Sequence, residues 1–389
     1  MERCDALIVG GGPAGSTCAW KLRQAGLNVV VLDKQAFPRD KVCAGWITPA
    51  VVRSLELDFH DYQQQGRTLE PLTRFRVGMI GKEKMLEVDR DQPVSYGIRR
   101  CEFDDYLLRR SGASLRCGQG VRHIERTARG WCVNDEIEAP LLIGAGGHAC
   151  PVARRLNAAD SDQPQRRPVV AQEVEFELTP HQQQACRVRP DTPELFFCPD
   201  LSGYGWCFRK GSYLNIGLGR QGDAEGLGQQ VHRFVEMLKA QGRVPANTPS
   251  RFKGHAYLLY GRPHRRWFDD GAILIGDAAG LAYPQSGEGI RTAVESALLA
   301  ARTILDAKGD YRADRLARYA QLLEERWGRP AGDAAWLPRP WRIRLAAWLL
   351  QQRWFVDRVL LDRWFLRRGQ HPWRWPAGGC SGNRHRMLS

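Results

Sequence analysis

The sequence predicts a mixed α/β (α+β) chain. A parallel α/β layer is assembled from separated segments, a β-rich region is inserted between them, and the C-terminal region is helical. Three observations carry this. A strand, glycine turn, helix and second strand fill about the first thirty residues. A second strand and glycine turn leading into a helix recurs near residue 275. Between them the apolar residues alternate with period two rather than 3.6.

The first unit opens on the apolar run Ala6 to Val9, followed by Gly10-Gly11-Gly12-Pro13-Ala14-Gly15. A helical stretch from Ser16 to Gly26 and a run Val29 to Leu32 follow, ending in Asp33 and Lys34. Gly10 permits a tight turn, Gly12 lets the backbone approach a pyrophosphate, and Gly15 lets helix and strand pack closely. The helix that Pro13 and Ala14 open presents unpaired N–H groups and a positive dipole end to phosphates. Asp33, eighteen residues after Gly15, stands where a carboxylate accepts from a ribose hydroxyl. This order reads as a Rossmann-like dinucleotide site.

Residues 35–49 read as a loop broken by Pro38 and Pro49. Strands are expected within 68–98, a helix over 99–110 with Phe103, Tyr106 and Leu107 on one face, and strands again over 114–142. The stretch 169–219 is strand-rich, with alternating runs at 174–178 and 214–218. A helix over 226–241 precedes a buried strand at 272–277, a long helix near 289–307 and a helical remainder. The implied division has residues 1–70, 99–165 and 265–310 forming the nucleotide-binding domain. Residues 71–98 and 166–264 form a β-rich substrate domain, and 311–389 a basic, tryptophan-rich helical region.

The second unit is Ile273-Leu274-Ile275-Gly276-Asp277-Ala278-Ala279-Gly280, followed by Ser286-Gly287-Glu288-Gly289-Ile290. Asp277 is placed to accept from a ribityl hydroxyl. The N–H groups of Gly287, Glu288 and Gly289 are placed to face a flavin pyrimidine, where negative charge gathers on reduction. An ordinary capped strand–turn–helix is the alternative. For Glu288 itself, a helix cap, a solvated carboxylate and a proton-transfer group all stay open.

Composition narrows the class. The 389 residues hold ample core, no apolar run reaches the eighteen or so residues of a spanning helix, and the charged start with its immediate glycine turn leads us to expect no signal peptide. Eleven scattered cysteines lack metal-ligand spacing, so a reduced cytoplasmic chain without a metal is expected. Of the net charge of +14, much lies in residues 331–389, with eleven Arg against three Asp and seven of the thirteen Trp. Such an end fits an anionic surface, at the inner face of a membrane or on a partner protein, or else an ordinary solvated basic face. A nucleic-acid partner is not expected.

On these motifs, with Leu142-Ile143-Gly144-Ala145-Gly146-Gly147 as the middle element, the chain resembles the p-hydroxybenzoate hydroxylase-type flavoprotein superfamily. Within it, the sequence is most similar to the geranylgeranyl reductase branch. Lys41-Val42-Cys43-Ala44-Gly45-Trp46, Gly203-Tyr204-Gly205-Trp206-Cys207-Phe208 and Asn215-Ile216-Gly217-Leu218-Gly219 carry that part of the likeness, which extends over roughly Asp5 to Leu305. The resemblance implies bound FAD, held by Gly10, Gly12, Pro13, Ala14, Gly15, Asp33, Lys34, Arg100, Val121, Gly147, Gly276, Asp277 and residues 287–290. Arg100, or alternatively Arg99, would hold a flavin phosphate or the ribityl chain. Cys43, Trp46, Tyr204 and Trp206 would line the substrate side of the ring.

Two departures from the branch pattern stand out. Gly146 replaces the acid usual in the middle motif, which puts reduction by NAD(P)H bound in the usual way in doubt and leaves another external donor open. Trp46 stands where relatives often carry glycine, so the substrate cavity is reshaped. The resemblance implies hydride transfer from reduced flavin to a double bond of a hydrophobic, isoprenoid-like substrate. Two alternatives remain: a flavin monooxygenase acting on an aromatic compound or a partner-protein side chain, and a flavin-bearing maturation or binding factor. A halogenase is disfavoured, because Tyr204 stands where such relatives carry the first tryptophan of a W-x-W element.

Overall fold

The computed structural model describes all residues except 159–166, 223–224, 262–264, 331–337 and 376–389. Trp336, Arg384 and Arg386 of the basic C-terminal region therefore lie outside the described residues.

The nucleotide layer is a six-stranded sheet ordered Phe268–Asp269, Ala272–Leu274, Leu141–Gly144, Ala6–Val9, Val29–Asp33 and Ser114–Cys117. Its four inner strands run parallel and are buried on both faces, which is why they read as unbroken apolar runs instead of alternating ones. The helices Pro13–Gln24 and Ile290–Asp306 cover it. The second gives up almost its whole circumference to the core, down to Glu295 and Ser296.

The inserted layer is a seven-stranded sheet ordered Lys253–Tyr257, Val169–Glu177, Tyr213–Gln221, Gly203–Lys210, Glu194–Phe197, Arg74–Met79 and Met85–Asp89. Its alternation puts Val174, Ile216 and Cys207 beneath the helix Leu227–Ala240. The opposite face carries Glu173, Glu175, Trp206, Lys210 and Asn215. A three-stranded sheet of Trp46–Ile47, Ser95–Ile98 and Leu69–Leu72 joins the two layers.

Two expectations need correction. The stretch 272–277 is a strand only to Leu274 and then a 3₁₀ turn over Gly276–Ala278. The C-terminal region is not helical throughout. A helix Arg339–Leu349 ends at a turn, a π-helical segment Phe355–Phe365 follows, and 366–375 is irregular. The spacing of Leu345, Trp348, Leu349, Gln352, Val356, Val359 and Leu360 predicts one helical apolar stripe with a single polar break at Gln352, and the structure divides it. Leu345 and Trp348 are exposed, whereas Val356 and Leu360 are buried against Phe75, Val77 and Val88. Ten cysteines are described and all are free. No helix among the described residues is long and apolar enough to cross a membrane.

Candidate active site

The glycine turns and the sheet face that carries Trp206 open into one cavity of about 1220 Å³ at the carboxyl ends of the parallel strands, where open α/β sheets place their ligands. This exceeds the roughly 300–1,000 Å³ of a single drug-sized pocket, leaving room for a dinucleotide and a second molecule.

At the polar end, Gly10, Gly12, Pro13, Ala14, Asp33, Lys34, Val121 and Gly147 all line the wall. Gly10 has φ +114°, and a Cβ there would run into the Ala145 carbonyl of the neighbouring strand, so only glycine closes this turn. Gly15 does not line the cavity; a Cβ on it would strike the Gly10 carbonyl. Gly276 also packs, against Ala14 and Ala293. At Gly12 the Cβ position is open, with only Arg39 Nη2 nearby at 3.4 Å. Both Asp33 oxygens already accept backbone N–H groups, from Gly11 at 2.7 Å and Gln35 at 2.9 Å. Asp33 thus shapes the turn as well as facing the cavity.

Arg39 is the residue the sequence reading missed. Its guanidinium sits over Gly12 and reaches Asp104 at 3.2 Å, and its buried Nη1 has no hydrogen-bond partner among the described residues. A guanidinium over a phosphate-type glycine turn with one buried N–H group still free is a donor that suits a pyrophosphate. Arg100 lines the cavity too, but its guanidinium is engaged by Asp104 through two bonds of 2.8 Å. Arg99 turns instead to Glu102 and Glu175 and stacks on Tyr213.

In the middle of the cavity, Asp277 faces His255 at 3.7 Å. Burial would raise the Asp277 carboxyl, but the nearby His255 imidazole and the charges of Lys41 and Arg100 outweigh it and hold Asp277 below its usual range. Beyond it the helix Ile290–Asp306 begins. Of the three amides expected to face a ligand, that of Gly287 is taken by the Tyr283 carbonyl at 2.8 Å. That of Glu288 makes a long bond to Ser286 Oγ at 3.4 Å, and that of Gly289 finds no partner among the described residues. Glu288 neither caps the helix with its side chain nor is solvated. Both carboxyl oxygens are buried and unpartnered among the described residues, and burial raises the group to about 7. Ile290 completes this wall, and Tyr257, also unforeseen, sets its hydroxyl against Gly287.

The far end is an aromatic slot. Trp46 stacks with Phe75 at 5.1 Å and Phe365 at 5.8 Å, and Tyr204 lies 5.4 Å from Phe365 and 6.3 Å from Trp206. Tyr204 is fixed by donating to the Ser286 carbonyl at 2.6 Å. Trp206 is fixed by donating to Asn215 Oδ1 at 2.7 Å. Gly217 exists for Trp206, since a Cβ there would overlap the indole.

Cys43 stands where slot and polar end meet, on a loop held by the inserted sheet. Its N–H donates to Glu173 Oε1 at 2.8 Å, and Asn215 Nδ2 donates to its carbonyl at 3.4 Å. The fully buried Lys210 pairs with Glu175 and donates to the Ile98 carbonyl, while the Ile98 N–H donates to the Gly45 carbonyl. Burial raises Glu173 to about 8, the Lys210 charge opposing it. An unfolded glutamate ionises near 4.5, so between about pH 4.5 and 8 the unfolded chain has released a proton that the folded chain keeps. Stability contributed by this group therefore falls as pH rises through that window. Glu173→Gln keeps an oxygen for the Cys43 N–H and should flatten the fall. Thermal melts at pH 6 and 9 with the same slope in both proteins would rule this out.

The structure also gathers His123, Glu125 and Asp135, but they are exposed and line no part of the cavity.

Residues 5–86 match the family described as FAD dependent oxidoreductase. Over 316 to 356 residues the chain aligns with curated relatives of similar length. It is 28% identical to digeranylgeranylglycerophospholipid reductase of Methanothrix thermoacetophila, covering 85% of this chain and 84% of that one. With geranylgeranyl diphosphate reductase of Rhodobacter capsulatus it shares 29% identity over 74% of this chain and 71% of that one. In fold it matches the solved geranylgeranyl bacteriochlorophyll reductase-like protein of Thermoplasma acidophilum, with a TM-score of 0.71, 21% identity, and coverage of 90% and 88%. Taken with the Gly10–Gly15 turn, the open approach at Gly12 and the free Nη1 of Arg39, these findings make the chain an FAD-dependent oxidoreductase that is similar in sequence and fold to the geranylgeranyl reductases.

Proposed function

We propose that the protein reduces a carbon–carbon double bond of an isoprenoid-like substrate. The observation that carries the reading is that the aromatic slot and the dinucleotide end form one cavity, with Cys43 at their junction. Bound FAD supplies the hydride chemistry, recharged by NAD(P)H or another external donor. The chain supplies placement. The Gly10–Gly15 turn and Arg39 hold the pyrophosphate, Asp277 accepts from the ribityl chain, and the Gly289 N–H meets charge at the pyrimidine edge. Trp46, Tyr204, Trp206 and Phe365 offer a water-excluding wall to an unsaturated hydrocarbon, as the names of the relatives also support. Such substrates reside in bilayers, and the basic, tryptophan-rich C-terminal region supports peripheral work at the inner face of a membrane.

Asp277→Ala removes one acceptor from a buried ligand, at about 1–3 kcal/mol. FAD affinity should fall roughly 5- to 150-fold with the fold intact; full flavin occupancy on dilution would take Asp277 out of the site. For the reaction, chemically reduced enzyme is incubated with an isoprenyl lipid and the product is weighed by mass spectrometry. The reading expects a gain of two hydrogens per double bond. A gain of oxygen would favour a monooxygenase.

A further inference from the structure

Large apolar side chains are seldom exposed among the described residues, and apart from Met1 and Leu115 those that are cluster. Trp341 is 62% exposed, Leu345 48% and Trp348 55%, at spacings of four and three on one face of a single helix. Trp354, 55% exposed, follows directly after the turn. An outward stripe of this kind marks a surface that meets something apolar.

The charges around it have one sign. Arg342, Arg344, Arg353, Arg358 and Arg363 are exposed, and none has a carboxylate within ion-pair distance among the described residues. The two carboxylates of the segment, Asp357 and Asp362, are both engaged by Arg90, which follows the edge strand Met85–Asp89 of the inserted sheet. Exposed tryptophans within an arginine collar complement an interface that is apolar below and anionic above. A phospholipid surface has that layering. A nucleic acid lacks the apolar layer.

The next turn of the same segment faces inward. Val356, Leu360 and Leu361 are buried against the inserted sheet. Phe365 reaches the cavity itself, where it meets Trp46, Phe197 and Tyr204. One continuous stretch of about 25 residues thus presents apolar side chains to the outside at its start and walls the substrate slot at its end.

We propose that residues 341–365 are a loading segment, which docks on an anionic bilayer through Trp341, Leu345, Trp348 and Trp354 and admits a membrane-resident isoprenoid to the slot that Phe365 closes. This rests on the isoprenoid reading above. It goes further by naming the docking face and joining it to the slot.

The test uses the full-length holoprotein with Trp341→Glu/Trp348→Glu/Trp354→Glu, three exposed positions outside the cavity. Co-sedimentation is measured with vesicles of phosphatidylcholine alone and of phosphatidylcholine with phosphatidylglycerol. Turnover is measured with a polyprenyl lipid embedded in those vesicles and with a short isoprenyl alcohol in detergent. The wild type should sediment with the anionic vesicles and less so in high salt. The variant should lose about tenfold or more of both binding and vesicle turnover, with flavin content and short-chain turnover unchanged.

A wild type that ignores anionic vesicles overturns the docking and leaves the reductase reading intact. A dimer that the triple substitution dissolves also overturns it, in favour of a second copy on this face. A variant that loses vesicle binding but keeps vesicle turnover overturns the loading role. Vesicle binding with neither isoprenoid reduced would overturn the reductase reading and the loading role with it.

Discussion

Gly12→Val should yield a folded, colourless protein. The Cβ position at Gly12 points into the cavity, its nearest neighbour being the flexible end of Arg39 at 3.4 Å. The backbone there is extended, with φ −71°, so valine introduces no strain. What it fills is the space a pyrophosphate needs above the turn, while pushing away the Arg39 guanidinium, whose Nη1 has no other hydrogen-bond partner among the described residues. Flavin retention after gel filtration should fall below detection with the melting transition still cooperative. Gly10→Val is the contrasting control. A side chain there collides with the Ala145 backbone, so that variant should fail to fold. If Gly12→Val keeps its colour, the turn does not hold the cofactor.

Lys210→Met should produce the largest loss of stability among changes outside the glycine turns. The ammonium is fully buried, pairs with Glu175, and stands near Glu173. Its removal leaves Glu175 with only the partly exposed Arg99, at 3.4 Å, as countercharge beside the buried Glu173 carboxyl group, so the loss should approach the roughly 3–5 kcal/mol of breaking a buried pair. It also frees the Ile98 carbonyl, on the strand that holds Gly45, so the loop bearing Cys43 should loosen. Alkylation of Cys43 by a small thiol reagent should accelerate in the variant. Adding Glu175→Gln should recover part of the stability, because the carboxylate that lost its Lys210 partner leaves with it. A double variant no better than the single one would mean the ion pair is not the source of the loss.

Much of the polar end was legible in the sequence because glycine motifs encode backbone geometry, and backbone geometry is local. Gly15 is fixed by close approach to Gly10 within one strand–turn–helix unit and Gly10 by its left-handed backbone there, so their meaning survives without knowledge of the rest, although Gly10 also abuts Ala145 of the middle motif. Arg39, His255 and Tyr257 were not legible. Each reaches the cavity through long-range packing: Arg39 from a loop, the other two from the edge strand that pairs with Val169–Glu177. Nothing in their spacing marks them. Glu173 and Lys210 fall within the strand-rich stretch 169–219, but outside its alternating runs, so the sequence could not tell which face would meet the Cys43 loop.

The C-terminal region shows the other limit. Helical periodicity was present from Leu345 to Leu360, yet periodicity does not say which side of a stripe is covered. The turn after Leu350 rotates the second half inward and leaves the first half outside. For Glu288, only the burial of both carboxyl oxygens removes the solvated and capping roles that its position alone left open.

The central claim is that one cavity places an isoprenoid double bond against the reduced cofactor. Anaerobic single-turnover reoxidation tests it most directly. The flavin is photoreduced without any nicotinamide, an isoprenyl substrate is mixed in, and the return of the oxidised visible spectrum is followed. The account predicts reoxidation in the absence of oxygen, with a rate that saturates in substrate and with one double bond saturated per flavin. A spectrum that stays reduced until oxygen is admitted, with oxygen then appearing in the product, would contradict it.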